Sequence, residues 1–415
     1  MKSKMKEMAV IGLVLSMFFC GCKSVKSKAD AVNTKYSTPV SAVCYLYGRG
    51  ISADGMIYKK NCFDYYVDFE TREHYGMCSR INCPHRMLTA EESANGMELC
   101  MAFDRDSDYV FMHNGNKYSI FRNKSGEYEL DVAQWDGSEK RKLCELEGFS
   151  SDAIYVCGNT LWCIRFYEDM ITENDDYLLQ TRVFPYTVNL ETGAAIKPDI
   201  NWIDGIVSIT YCDEDQMQLL VKFVDWKAVN DGNNKFTEND INGNSKVEFW
   251  RIQKDGKIER LGEDVINGFY SVDNSAPNRA ICIDKNQKDR DAAQFYLWNY
   301  ETGERKPLEN SMVPFFMTET EDYIYLWDEE ESLIGMVIRN VVTGEERRCI
   351  FPKEESFAQI IGDKVIFNAY NEDNADANSS DELNRIIRVY TLDDLIKGEY
   401  QNFSEAEGHI WDIFE

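Results

Sequence analysis

Three cysteines and one histidine fall in one short stretch, Cys78-Ser79-Arg80-Ile81-Asn82-Cys83-Pro84-His85, followed by Cys100. Three thiolates and an imidazole form a complete tetrahedral set for zinc, and a site whose four positions are all filled by protein is structural, with no place left for a substrate or an attacking water. The same side chains equally allow a disulfide among Cys78, Cys83 and Cys100, or three free thiols. Zinc contributes about 10 to 16 kcal/mol of apparent binding energy in a small folding unit, against about 2 to 5 kcal/mol for a disulfide. Either would pin the segment 76–102. A catalytic Cys-His pair is the remaining chemistry, since an imidazole can take a proton from a thiol, but the crowding of further cysteines favours binding over attack.

What must hold this segment is a chain of short repeats. One turn signature recurs along almost the whole sequence, as Val67-Asp68-Phe69-Glu70-Thr71-Arg72, Val188-Asn189-Leu190-Glu191-Thr192-Gly193, Trp298-Asn299-Tyr300-Glu301-Thr302-Gly303 and Arg339-Asn340-Val341-Val342-Thr343-Gly344. Looser copies are Trp135-Asp136-Gly137, Lys254-Asp255-Gly256 and Asp394-Leu395-Ile396-Lys397-Gly398. Asp or Asn closes an Asx turn on its own backbone, and the terminal Gly supplies the positive φ that lets the chain reverse into a hairpin. Seven hairpin turns are expected. Runs such as Tyr323 to Trp327, Gln294 to Trp298, Ala153 to Val156, Lys364 to Phe367 and Arg385 to Tyr390 alternate as half-buried strands do, and no segment keeps a helical period. Repeats of roughly 41 to 66 residues, each holding three or four strands, fit propeller blades better than a sandwich. The expected fold is an all-β propeller over residues 42–415 of seven blades, with six or eight as alternatives. Val43 to Tyr47 and His409 to Phe414 are the expected closure pair, because a closing blade often joins strands from both termini.

The N-terminus points to export. Lys2, Lys4 and Lys6 precede an apolar run from Met8 to Phe19, and Phe19-Cys20-Gly21-Cys22 resembles the lipobox of bacterial lipoproteins. Twelve apolar residues rise about 18 Å as a helix, short of the roughly 30 Å hydrocarbon layer, so a spanning helix is disfavoured. Residues 1–21 then form a lipoprotein signal peptide, Cys22 is the lipidated position and residues 22–41 are a polar tether. The implied acyl chains, at about 0.8 kcal/mol per buried methylene, would hold the chain on the membrane surface with its globular part on the extracytoplasmic face.

Together these features resemble a family of poorly characterised lipoproteins from Gram-positive bacteria, especially gut anaerobes, with a lipobox, a polar tether and a TolB-like β-propeller. The sharpest point of resemblance is the Cys78 to Cys100 segment, which is similar to a Leu-Cys-x4-Cys-x-His motif with a further Cys that such proteins place after their first blade. Met77 stands where Leu is usual. The resemblance implies the fold and the anchor, but no particular activity.

The formal net charge is −27, with 72 acidic against 45 basic residues. No basic stripe exists to displace counterions from phosphates, so nucleic acid is excluded as a partner. Cys44, Cys62, Cys144, Cys157, Cys163, Cys212, Cys282 and Cys349 lie mostly in apolar runs and read as small core residues, which fits a reducing or anoxic setting. In the polar insertion Asn230 to Ser245, placing Gly243 at the sixth position of a calcium loop puts Glu238, Asp240 and Asn242 at ligand positions but Phe249 at the twelfth, so it reads as a solvated loop, as does Asn371 to Glu382. Trp162, Trp202, Trp226 and Trp250 offer either blade packing or sugar stacking. No Gly-x-Ser-x-Gly elbow, His-Glu-x-x-His pair or phosphate-cradling glycine loop occurs, and only four histidines, His74, His85, His113 and His409, are present. The expectation is a non-enzymatic module that binds a protein, peptide or glycan on one propeller face. A sensor or accessory subunit of a transporter or envelope complex is the alternative, and a propeller-type lyase or hydrolase the minority one. Beyond a structural zinc, no cofactor is expected.

Overall fold

The computed structural model describes residues 40–407, apart from 46–49 and a set of connecting segments, the longest being 226–244, 285–293 and 371–384. The signal, Cys22, the tether up to residue 39, the polar insertions, Trp202, Trp226 and the His409 to Phe414 strand lie outside the described residues. Among the described residues no helix is long and apolar enough to cross a membrane.

The first strands are Val40–Tyr45 (β1), Ile51–Ser52 (β2), Gly55–Lys60 (β3), Phe63–Asp68 (β4) and His74–Gly76 (β5), followed by the short helix Ala90–Ala94 (α1). Next come Ser107–His113 (β6), Asn116–Arg122 (β7), Tyr128–Gln134 (β8) and Arg141–Leu146 (β9), which form a separate four-stranded antiparallel sheet. Ala153–Cys157 (β10), Thr160–Glu173 (β11), Asp176–Asn189 (β12), Ala195–Ile196 (β13) and Ile203–Asp204 (β14) follow. Four more four-stranded sheets complete the chain. They are Ile206–Cys212 (β15), Gln216–Val224 (β16), Ser245–Gln253 (β17) and Ile258–Asp264 (β18); Phe269–Tyr270 (β19), Arg279–Asp284 (β20), Gln294–Asn299 (β21) and Arg305–Leu308 (β22); Val313–Met317 (β23), Tyr323–Glu330 (β24), Leu333–Asn340 (β25) and Glu346–Ile350 (β26); and Ser356–Ile361 (β27), Lys364–Tyr370 (β28), Arg385–Thr391 (β29) and Phe403–Glu407 (β30), with helix Leu392–Lys397 (α2) before β30. Each is a meander in chain order. The chain is an all-β propeller.

Five sheets stand alone as four-stranded blades, where seven equal blades were expected. The remaining strands merge into one ten-stranded sheet, because β1 pairs with β10 through Val43↔Tyr155 and with β2 through Val43↔Ile51. β1 runs along β10 from Val40 to Tyr45 and meets the two-residue β2 only at Ala42 and Val43, so it covers the edge of β10, which uncovered would be a template for another chain. The second strand of the expected closure pair, His409 to Phe414, lies outside the described residues. Among the described residues β1 bonds to β2 and β10, and the last sheet returns beside β3 and β4.

All seven predicted turns join the third and fourth strands of a meander. At three of them Asp68, Asn189 and Asn299 each accept through Oδ1 from backbone N–H groups two and three residues on, and at a fourth Asn340 accepts from Thr343 N–H. Gly193, Gly303 and Gly344 close theirs at φ of 73°, 76° and 70°, a left-handed conformation that costs glycine nothing. Arg72 takes the same place at φ 61°. The seventh turn departs from expectation. Asp394 lies inside α2, which Thr391 caps through its side chain and Gly398 ends at φ 73°. Thr at the N-cap, Asp393 and Asp394 in the first turn and buried Leu392 and Leu395 one turn apart make a single amphipathic turn of helix stable there.

Strands that read as alternating form as expected, but inner ones are buried on both faces. Met217 to Val221 of β16 are all buried, Gln218 included. Neighbouring sheets cover both sides of a blade, so the alternation shows only toward its edges. Side chains from β10 to β12 and β6 to β9 share one core, and the main core joins residues of β2 to β4, β10, β11, β15 to β17, β28 and β29. Trp162 is fully buried in it, worth about 1.5 to 3 kcal/mol for a side chain of this kind, and its Nε1–H donates to Asp213 O at 2.8 Å. Trp162 is therefore packing and not a stacking platform, while the half-buried Trp250 packs against the same core.

Candidate metal centre and binding cleft

The segment 76–102 leaves the sheet at the end of β5 and returns to the edge of β4. Met77 N–H donates to Asp64 O at 3.0 Å on the way out, and Asp64 N–H to Ala102 O at 2.8 Å on the way back, where Phe63 also bridges Phe103. Both arms are thereby anchored on one strand. Asp64 is itself held by a buried ion pair, Lys117 Nζ lying 2.6 Å from Oδ2 with side-chain exposures of 7% and 0%. Between the arms, Arg80 ties the Cys78 to Cys83 loop to the returning chain by donating to Glu98 O at 3.1 Å and Leu99 O at 2.8 Å, with Glu98 Oε2 at 2.5 Å. The fourteen residues between His85 and Cys100 are taken up by α1, whose Thr89 and Glu92 form a reciprocal capping box, while Arg86 donates to both oxygens of Glu92 at 2.9 and 2.7 Å.

This scaffold brings Cys78, Cys83, His85 and Cys100 together, with their ligand atoms all within 4.8 Å of one another. Around a zinc ion with bonds of about 2.3 Å to sulfur and 2.0 to 2.1 Å to nitrogen, tetrahedral edges are roughly 3.8 Å between sulfurs and 3.6 Å from sulfur to nitrogen. His85 Nδ1 lies 3.3 Å from Cys100 Sγ, close to such an edge. The donor set and its spacing fit zinc. Ligation through Nδ1 leaves the ring proton on Nε2. That ring face needs Gly76, since a Cβ there would lie 2.8 Å from His85 Cε1 and Nε2. His85 adopts φ 47°, an uncommon backbone for a histidine, and its ring meets Tyr65 edge-on at 6.1 Å between centroids.

The thiols are polarised unequally. Burial raises the Cys78 thiol, but the backbone N–H groups of Arg80 and Met101 and the neighbouring Cys100 and Cys83 outweigh it and leave Cys78 below its ordinary range. Cys100 is pushed up to about 12 by burial, with the adjacent Cys83 and Cys78 adding to the rise. A metal would reverse this by taking thiolates directly. A hollow of about 270 Å³, lined by Arg80, Ile81, Cys83, Arg86, Leu88, Met97, Glu98 and Cys100, opens beside the cluster.

A second feature is not visible in the sequence. A cleft of about 480 Å³ lies between the β2 to β5 run and the β6 to β9 sheet, lined by Ser52, Asp54, Tyr66, Tyr75, Met77, Met112, His113, Asn114, Gly115 and Trp135. Met77 connects it to the cysteine cluster one residue away. Trp135, 45% exposed, stands at the turn after β8. Tyr66 is pushed up to about 12 by burial, with the carboxylates of Asp54 and Asp68 adding to the rise. His113 Nε2 is 2.9 Å from Asn114 Nδ2 and 3.3 Å from Asn159 Oδ1. Trp135 is legible in the sequence only as part of its turn. The other lining residues come from separate strands and carry no shared signature.

Among the eight remaining cysteines the core reading holds for Cys157, Cys163, Cys212 and Cys349, whereas Cys62 is exposed and Cys144 half-buried; the side chains of Cys44 and Cys282 lie outside the described residues. None of the nine described cysteines is joined to another in this structure.

No protein-family model matches the chain, and no curated protein sequence matches it. Solved structures are similar in fold. TolB from Acinetobacter baumannii is 13% identical with a TM-score of 0.33, covering 84% of this chain and 77% of its own. The β-propeller domain of the trilobed protease from Pyrococcus furiosus is 13% identical with a TM-score of 0.42, covering 84% and 95%. An acylaminoacyl peptidase from Pyrococcus horikoshii is 12% identical with a TM-score of 0.41, covering 87% of this chain but only 53% of that enzyme. At these identities and scores the likenesses carry no activity across, and the chain's own repeated sheets identify it as a β-propeller.

Proposed function

We propose that this chain is a seven-bladed propeller, lipid-anchored at Cys22 on the extracytoplasmic face of the membrane, that binds a glycan or peptide segment in the cleft beside Trp135. The observation that carries this reading is the cleft itself. It joins three aromatic rings, Tyr66, Tyr75 and Trp135, with the polar groups of Ser52, Asp54, His113 and Asn114, in a volume of about 480 Å³. Apolar faces with a few placed polar groups are the usual make-up of a binding pocket. The count of seven is supported by seven turns in the same position of each meander, two of them within the merged sheet. Cys78, Cys83, His85 and Cys100 would hold one zinc ion, whose chemistry there is structural, fixing one wall of the cleft through Met77.

The test is a screen of glycans and peptides against the intact protein, repeated with Trp135→Ala. The reading expects a ligand whose affinity falls at least tenfold in the variant with unchanged thermal stability, as for removal of an aromatic anchor. A ligand that binds Trp135→Ala as tightly as the parent would place the binding surface elsewhere.

A further inference from the structure

Cys157 and Cys212 carry a feature that the cysteine cluster does not. They sit 55 residues apart, at the ends of β10 and β15, in two different sheets. Their sulfurs are 3.3 Å apart, and the residues are 0% and 1% exposed within the main core. The approach is imposed from outside the pair. The β10 to β11 hairpin docks on the turn after β15 through three contacts: Trp162 Nε1–H to Asp213 O at 2.8 Å, Thr160 Oγ1–H to Glu214 O at 2.7 Å and Asn159 N–H to Glu214 Oε1 at 3.3 Å. Gly158, at φ 52°, lets the two turns meet, because a Cβ there would lie 2.4 Å from Glu214 Oε2. The sulfurs are therefore held facing each other by hairpin tips that are locked on both sides.

From this geometry we propose that Cys157 and Cys212 form a disulfide that staples the β10 and β15 sheets, made by exchange with a dithiol-disulfide donor while the chain folds. A disulfide has its sulfurs about 2.05 Å apart, so closing the pair brings them roughly 1.3 Å nearer. In the exchange, the thiolate of one cysteine attacks a donor sulfur and expels the donor's other sulfur as thiolate. The second cysteine's thiolate then attacks the bonded chain sulfur and releases the donor's remaining thiolate. The chain loses two protons and two electrons, and the donor leaves as a dithiol. Timing follows from burial. Burial pushes the Cys212 thiol well above its ordinary range, and neither sulfur is open to a donor once the sheets meet. The bond therefore forms as docking brings the two sulfurs together, while a donor can still reach them, and is shielded from reductant once docking is complete.

The experiment is peptide mapping of the full-length protein, refolded from the reduced, denatured state with a dithiol-disulfide oxidoreductase kept oxidised by a glutathione redox buffer, alkylated at low pH and digested without reduction. The expected result is a cross-linked peptide pair containing Cys157 and Cys212, two hydrogens lighter than the separate peptides and absent from Cys157→Ser and Cys212→Ser. Closure of a loop of this length predicts that the chain refolded under reducing conditions melts about 5 °C below the oxidised chain. Should both cysteines be recovered fully alkylated from the refolded wild-type chain, or joined to other partners, the staple does not exist. Because the mapping uses the wild-type chain, its outcome does not depend on either variant folding.

Discussion

The buried Lys117–Asp64 pair lends itself to a test with a worked magnitude. Replacing Lys117 by Met keeps most of the aliphatic stem but takes away the ammonium 2.6 Å from a carboxylate that is fully buried. Removing one partner of a buried pair costs about 3 to 5 kcal/mol, because the other charge stays in a poorly solvating interior. With an unfolding entropy of about 2.1 cal/mol/K per residue over roughly 370 folded residues, that cost lowers the melting temperature by about 4 to 6 °C. Adding Asp64→Asn removes the stranded charge and should return more than half of the loss, so Lys117→Met with Asp64→Asn is more stable than Lys117→Met alone. Since Asp64 anchors both arms of the cysteine segment through Met77 and Ala102, the single variant should also release that segment to proteolysis first. Thermal unfolding of the wild-type chain and both variants, with limited proteolysis of each, is the assay. A loss below about 1 kcal/mol for Lys117→Met, well under the expected cost of a stranded buried charge, or no recovery in the double variant, would refute the reasoning.

Other expectations rest on single contacts. Gly193 and Gly344 hold the same place in the same turn, but a Cβ at Gly193 would lie 2.6 Å from Leu143 O while one at Gly344 meets open space. Gly344→Ala should therefore cost only the left-handed strain, about 1 to 2 kcal/mol, and Gly193→Ala clearly more, as read by urea denaturation. Glu92 is held down to about 2, from an ordinary value of 4.5, by the Arg86 hydrogen bonds and the Thr89 N–H. A depressed carboxyl contributes stability that is present above its unfolded value and is lost as pH falls through its folded one. Protection of the α1 region from acid proteases should thus fade between pH 4.5 and 2, and Glu92→Gln should abolish that pH dependence.

Much of the fold is readable in the sequence because its signals are local. An Asx residue and a Thr, followed by Gly in three of the four cases and by Arg72 in the other, define the sharper turns by themselves, and strands such as Tyr323–Glu330 or Lys364–Tyr370 announce themselves by composition. What stays hidden depends on distance along the chain. Val43 pairs with Tyr155 on one side and Ile51 on the other, a choice made by an open edge and not by any pattern in β1. The cysteine cluster is legible because its spacing is short and its chemistry distinctive. The cleft is not, since Asp54, Tyr66, His113 and Trp135 meet only after two sheets have packed. Cys157 and Cys212 resemble any core cysteine until their hairpin tips dock. At Asp394 to Gly398 the glycine marks a hairpin turn and a helix end equally well, and only the Thr391 cap three residues before Asp394 separates the two.

The occupancy of the cysteine cluster is tested most directly by metal and thiol content measured together on the protein purified anaerobically without chelator. One zinc per chain is predicted, with protection of Cys78, Cys83 and Cys100 from alkylation, and loss of both in Cys83→Ser. Metal-free protein in which these three cysteines react freely, or in which two of them are joined as a disulfide, would contradict it.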